Sequence, residues 1–260
     1  MNRIIETFEK LKREGSKAII GYITAGYPDM IRSEEIINEA LSSGIDILEL
    51  GVPFSDPTAD GPVIQSTSHK ALQAGCKLST ILKMATRIRR KYDNPIVLFS
   101  YANPLYAYGL PRLCRDLAKA GLDGVLAVDI PFEESGELRK ELKKNDLVLI
   151  QLIAPTTSYE RAKAILKEAD GFIYYIMVKG ITGIRKHIAT DLETHIKQIK
   201  KCTSLPVAVG FGISKAEQAK AAAKFADAVV VGSALMQAID RGKVASFIRS
   251  LVKVLHKAKK

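Results

Sequence analysis

The chain has 260 residues, 47% of them hydrophobic, and carries 39 Lys+Arg against 28 Asp+Glu, a formal net charge of +11. That composition excludes intrinsic disorder, collagen-like repeats and small disulfide scaffolds. Its three cysteines, Cys76, Cys114 and Cys202, form no CxxC pair and fit a reduced, cytoplasmic chain.

From the N-terminus, Ile4, Ile5, Phe8 and Leu11 recur at helical spacing among charged residues, which predicts a capping helix rather than a signal peptide. Short apolar runs then alternate with amphipathic stretches. The predicted strands are 17–24, 45–50, 95–100, 124–129, 147–154, 171–178, 206–210 and 228–232. Between and after them lie helical patterns at 33–43, 78–91, 111–120, 133–144, 159–168, 192–201, 215–225 and 244–257. The strands read as near-continuous Val, Ile and Leu, as strands buried on both faces do. Eight strand–helix units in this length predict an α/β fold, a (β/α)8 TIM barrel with an additional N-terminal helix, occupying 1–260 as one domain. A doubly wound open sheet is the alternative. The stretch between Gly51 and Lys77 is longer than a connection needs and marks an extended, functional loop after strand two. No apolar run approaches the ~20 residues of a membrane span. The basic clusters at 87–91, 139–144 and 257–260 fall on helical patterns without an RRM motif or zinc-finger spacing. They read as solvated helix surface, not as a nucleic-acid site.

In a barrel of this kind chemistry belongs at the strand C-termini. Glu49 ends the second strand between Leu48 and Leu50, where lost solvation raises a carboxyl pKa and suits it to acid–base work; an ion-paired structural glutamate is the alternative. The loop that follows, Val52-Pro-Phe-Ser-Asp-Pro-Thr-Ala-Asp-Gly-Pro62, projects Asp56 and Asp60. Asp60 reads as the second carboxylate of an acid–base pair with Glu49, or else as the cap of a helix opening at Gly61-Pro62. Glycine turns at 209–214 and 231–234 lead into helices, so that Gly212, Gly232 and Ser233 offer an anion site, while Gly180-Ile-Thr-Gly183 reads as a lid or as a plain turn. The four histidines lack metal-ligand spacing.

The segment Leu48-Glu-Leu-Gly-Val-Pro-Phe-Ser-Asp-Pro-Thr-Ala-Asp-Gly-Pro-Val-Ile-Gln65 closely resembles the signature of the tryptophan synthase α subunits. The likeness extends through Tyr22-Ile-Thr-Ala-Gly26, Tyr101-Ala-Asn-Pro104, Asp129-Ile-Pro131, Ala154-Pro-Thr-Thr157, Phe172-Ile-Tyr-Tyr175, Gly180-Ile-Thr-Gly183, Gly210-Phe-Gly-Ile-Ser214 and Val231-Gly-Ser233. The resemblance implies retro-aldol cleavage of indole-3-glycerol phosphate to indole and glyceraldehyde-3-phosphate in tryptophan biosynthesis. It implies Glu49 as general acid and base, Asp60 as the carboxylate at the indole N–H, and Tyr174 and Thr182 in support. Tyr22, Phe99, Leu126 and Ile153 would line the indole pocket, and Gly183, Gly212, Gly232 and Ser233 would cradle the phosphate. Pro53 and Asp56 would face a β subunit in an α2β2 assembly; pyridoxal phosphate would belong to that partner and no cofactor to this chain. A free-standing lyase, or a silent subunit that only activates the partner, are the alternatives. Phe99 stands where the family more usually has Leu, Met177 where it has a small polar residue, and Lys179 where it has Thr or Ser.

Overall fold

The computed structural model describes residues 2–176, 186–210 and 212–257, with the backbone alone over 186–191. Expectations for Met177, Lys179, Thr182 and Gly183 fall outside the described residues. The strands are β1 (Ala18–Thr24), β2 (Ile47–Gly51), β3 (Ile96–Ser100), β4 (Gly124–Ala127), β5 (Val148–Leu149), β6 (Gln151–Ile153), β7 (Ile173–Ile176), β8 (Val207–Gly210) and β9 (Ala228–Val231). Their order is β5-β4-β3-β2-β1-β9-β8-β7-β6, with parallel pairing throughout.

The two ends of that order are halves of one stave. Only Ile150 separates β5 from β6, and its N–H still donates to the Val125 carbonyl at 2.8 Å. β5 pairs with β4 and β6 with β7, so the sheet closes there into eight staves. That closure excludes the open sheet. All eight predicted strands are present, with ends shifted by a few residues. The helices include Ala102–Tyr108, which the sequence does not mark, and Pro62–Gln73 and Ser233–Asp240, for which it suggests a start but no extent. Pro62–Gln73 fills much of what reads as an extended loop.

Alternation along each strand divides the side chains into two cores. One faces the helices. The other fills the barrel and includes Ile20, Ile47, Val97, Leu126, Phe172 and Val230. The N-terminal helix Arg3–Glu14 plugs the barrel's base, placing Ile4, Phe8 and Leu11 in the same inner core, with Phe8 5.8 Å from the Phe172 ring. The Asn2 side chain accepts the Ile4 N–H at its start, and Gly15, at φ +65°, turns the chain out at its end. At the base, Asp123 accepts from Arg3 at 3.0 Å, Arg89 at 2.9 Å and the Ile96 N–H at 2.8 Å. Among the described residues no helix is long and apolar enough to cross a membrane.

Candidate active site

Glu49 lies on the inward face of β2, two residues above the inner-core Ile47, with Tyr22 and Val97 as its register partners on β1 and β3. Its side chain is fully buried, and neither carboxyl oxygen has a hydrogen-bond partner among the described residues. A charge there would be neither hydrated nor paired, so burial pushes the Glu49 carboxyl up from 4.5 to about 8. The acid is therefore neutral at pH 7. Among the described residues no cation pairs with Glu49, so none supports the ion-pair reading.

Asp60 arrives from the loop. It is not the helix cap: Gly61 takes that position, with no side-chain cap, ahead of Pro62. The Asp60 Oδ2 instead accepts the Tyr101 hydroxyl at 3.0 Å. Burial raises the Asp60 carboxyl to about 6, and the Tyr101 hydrogen bond opposes that rise. Both carboxylates act electrostatically on Tyr22 and on Tyr174, raising the phenols above their ordinary range after the larger effect of burial. Glu49, Asp60, Tyr22 and Tyr174 thus form one cluster, drawn from β1, β2, β7 and the loop after β2.

Two glycines make that cluster possible. A Cβ on Gly51 would lie 2.3 Å from the Tyr22 hydroxyl, and one on Gly210 would lie 2.3 Å from the Tyr174 hydroxyl. Each strand thus drops its side chain where a tyrosine crosses its backbone. The Tyr22 ring reaches Phe99 edge-on at 4.9 Å, and Phe99 is in register with Leu126. Tyr22, Phe99 and Leu126 therefore form a continuous apolar wall beside the carboxyls.

Ile153 does not join it. The inner face of this stave carries Val148, Ile150 and Leu152, whereas Ile153 packs in the helix-facing core. Leu152, in register with Tyr174, holds the inward position that the sequence reading gave to its neighbour. Pro53 is buried within this chain, although Asp56 is exposed. After β9, Gly232 caps the helix Ser233–Asp240 with no side chain in the cap, and Ser233 is exposed. The first N–H groups of that helix have no internal acceptor and favour an anion. Gly212 sits at φ +82°, with nothing within 4 Å of where a Cβ would be. A Cβ on Gly232 would lie 3.7 Å from the Tyr22 Cβ, which sets the turn against the apolar wall. Among the described residues no group of three or more His, Cys, Asp or Glu is placed to hold a metal.

A dry acid and a wetter carboxylate, beside an aromatic wall at the C-terminal mouth of a parallel barrel, match the layout of a barrel enzyme's active site. A family model described as tryptophan synthase alpha chain matches residues 8–259. The tryptophan synthase alpha chain of Desulfosudis oleivorans is 47% identical over 240 residues, covering 92% of this chain and 91% of the relative. The crystal structure of the tryptophan synthase alpha chain from Legionella pneumophila is 34% identical, with a TM-score of 0.89 and coverage of 98% of this chain and 97% of that one. A structure of Mycobacterium tuberculosis tryptophan synthase contains a chain that is 31% identical, with a TM-score of 0.92 and 99% of both chains covered. This chain belongs to the tryptophan synthase alpha chain family.

Proposed function

We propose that Glu49 and Asp60 divide the labour of a retro-aldol cleavage at this mouth. By its family the chain is a lyase of tryptophan biosynthesis that cleaves indole-3-glycerol phosphate. The observation that carries the residue assignment is the buried, unpartnered Glu49 carboxyl, neutral at pH 7. A neutral carboxylic acid can donate, and here it delivers its proton to indole C3. The ring becomes an indolenine with positive charge at nitrogen, and the Asp60 carboxylate, accepting the N–H, stabilises that charge as it develops. The Glu49 carboxylate left behind is buried and unpaired, hence strongly basic, and removes the proton of the glycerol hydroxyl next to the ring. The carbonyl of glyceraldehyde-3-phosphate forms, the bond to C3 breaks, and its electron pair restores the neutral indole. Glu49 ends with the proton count it started with.

Tyr22, Phe99, Leu126 and, from its inward position, Leu152 would hold the indole ring, with Tyr174 packed beside Glu49. Gly212, Gly232 and Ser233 would take the phosphate, and Gly183 and Thr182 would complete the enclosure. The chain would act as one barrel domain, in the cytoplasm, with a β subunit in an α2β2 assembly met through the exposed Asp56. No cofactor is assigned to this chain, because both proton transfers use its own groups; pyridoxal phosphate belongs to the partner. Indole release from indole-3-glycerol phosphate, measured with and without a β subunit, tests the reading. Glu49→Gln should all but abolish release by the otherwise intact chain, a loss of roughly a hundredfold or more, while phosphate-ligand binding persists, and turnover near the wild-type rate by that variant would remove Glu49 from the mechanism.

A further inference from the structure

We infer that Tyr101 is a positioning residue for this reaction, holding the Asp60 carboxylate through a clamp that ties the loop to the end of β3. The inference rests on Asp60 being the carboxylate that meets the indole N–H. Tyr101 follows β3 and is 2% exposed. It is the N-cap residue of the helix Ala102–Tyr108, yet its side chain takes no part in that cap. Its hydroxyl instead accepts the Ala59 N–H at 3.1 Å and donates to Asp60 Oδ2 at 3.0 Å. One oxygen atom thus fixes both the backbone just before Asp60 and one lobe of its carboxylate. The Phe54 ring, in the same loop, lies against the Tyr101 ring at 5.1 Å. A loop side chain is otherwise free to rotate, and rotation costs a hydrogen bond its alignment at the moment charge develops. With Oδ2 engaged, Oδ1 remains as the acceptor for the substrate. The other titratable groups facing this pair are Tyr22 on β1, Glu49 on β2, Tyr174 on β7, and Asp129 beyond β4, whose carboxylate accepts the Ala102 N–H at 2.7 Å.

Tyr101→Phe keeps the ring and its contact with Phe54 while removing the hydroxyl. In the full chain, kcat for indole-3-glycerol phosphate cleavage should fall roughly tenfold to a hundredfold, with KM changed far less. The acid limb of the pH–rate profile should move to higher pH, because Asp60 loses a donor that favours its ionised form. A fluorinated tyrosine at position 101, a stronger donor of nearly the same shape, should move that limb the other way and keeps the test available if the Phe variant folds poorly. A residue that only supported the loop would lower the amount of folded protein without moving the limb. Unchanged kcat and an unmoved limb in both variants overturn the inference. Asp60→Asn separates the two readings: if it cleaves at the wild-type rate, the Asp60 assignment itself fails. If it is inactive while Tyr101→Phe matches the wild type, only the clamp fails.

Discussion

Asp123 at the base of the barrel and Glu49 at its mouth are both buried carboxylates, 3% and 0% exposed, and their surroundings are opposite. Asp123 receives two guanidinium groups and a backbone N–H, whereas Glu49 receives nothing from the described residues. A buried charge without partners costs several kcal/mol, so a fold retains one only where something else is gained. The base spends its polar contacts on holding the plug helix against the sheet. The mouth leaves an acid unsatisfied, and that lack makes Glu49 able both to give a proton and to take one back. The contrast follows the division of labour in barrels, with stability at the strand N-termini and chemistry at the C-termini.

The sharpest test of this contrast exchanges activity for stability. Glu49→Gln should lower turnover by roughly a hundredfold to ten-thousandfold, yet leave the chain at least as stable as before. The Glu49 pKa is raised on folding, so stability drains away as pH climbs from 4.5 towards about 8, where the unfolded chain is ionised and the folded one is not. The stability advantage of the Gln variant, followed by denaturant titration, should therefore grow with pH across that window. Asp123→Ala should do the reverse, costing about 3–5 kcal/mol by stranding the largely buried Arg89, whose side chain is 12% exposed, while the folded fraction keeps its turnover. Equal stability loss in both variants would erase the distinction between the two ends.

The mouth alone should also set the pH profile. If cleavage uses an ionised Asp60 and a protonated Glu49, as proposed, kcat/KM should rise through about 6 and fall through about 8. Asp123→Asn should leave both limbs in place. The smallest effect belongs to the base, where His256 Nε2 lies 2.9 Å from Asp46 and that hydrogen bond raises the His256 pKa. Its contribution is complete below the unfolded value of 6.5 and disappears as pH rises through the folded one. His256→Gln should cost about 1 kcal/mol or less at pH 5.5 and nothing at pH 9, by thermal melts at the two pH values.

How far the sequence reveals all this depends on how local each signal is. The eight staves are legible because turn residues bracket every apolar run. The N-terminal plug shows in its 3–4 spacing. The glutamate shows by its position between leucines near the end of a strand. The facing of Leu152 and Ile153 is not legible. In a strand buried on both sides the period of two vanishes, and a one-residue shift moves a side chain from the barrel to the helix layer. The partner of Asp60 is hidden for another reason. Within the sequence Asp60 competes for a helix cap next door, whereas its actual donor, Tyr101, stands 41 positions away and meets it only once β2 and β3 are paired. The burial of Pro53 is equally a matter of tertiary packing, since proline in a loop reads as surface. The roles of Gly51 and Gly210 could not be read either, because each exists only where a tyrosine from an adjacent strand crosses it.

Those two tyrosines carry an optical consequence. The chain contains nine tyrosines and no tryptophan, so it has no indole ring of its own. Tyr22 and Tyr174 are held against glycine backbone in the cluster with Glu49, in fixed orientations where an indole is expected to bind. Light absorbed by these phenols would pass to a bound indole and emerge as indole fluorescence on a background free of tryptophan. The same packing that makes room for the buried acid would thus turn the unlabelled protein into a reporter of its own occupancy.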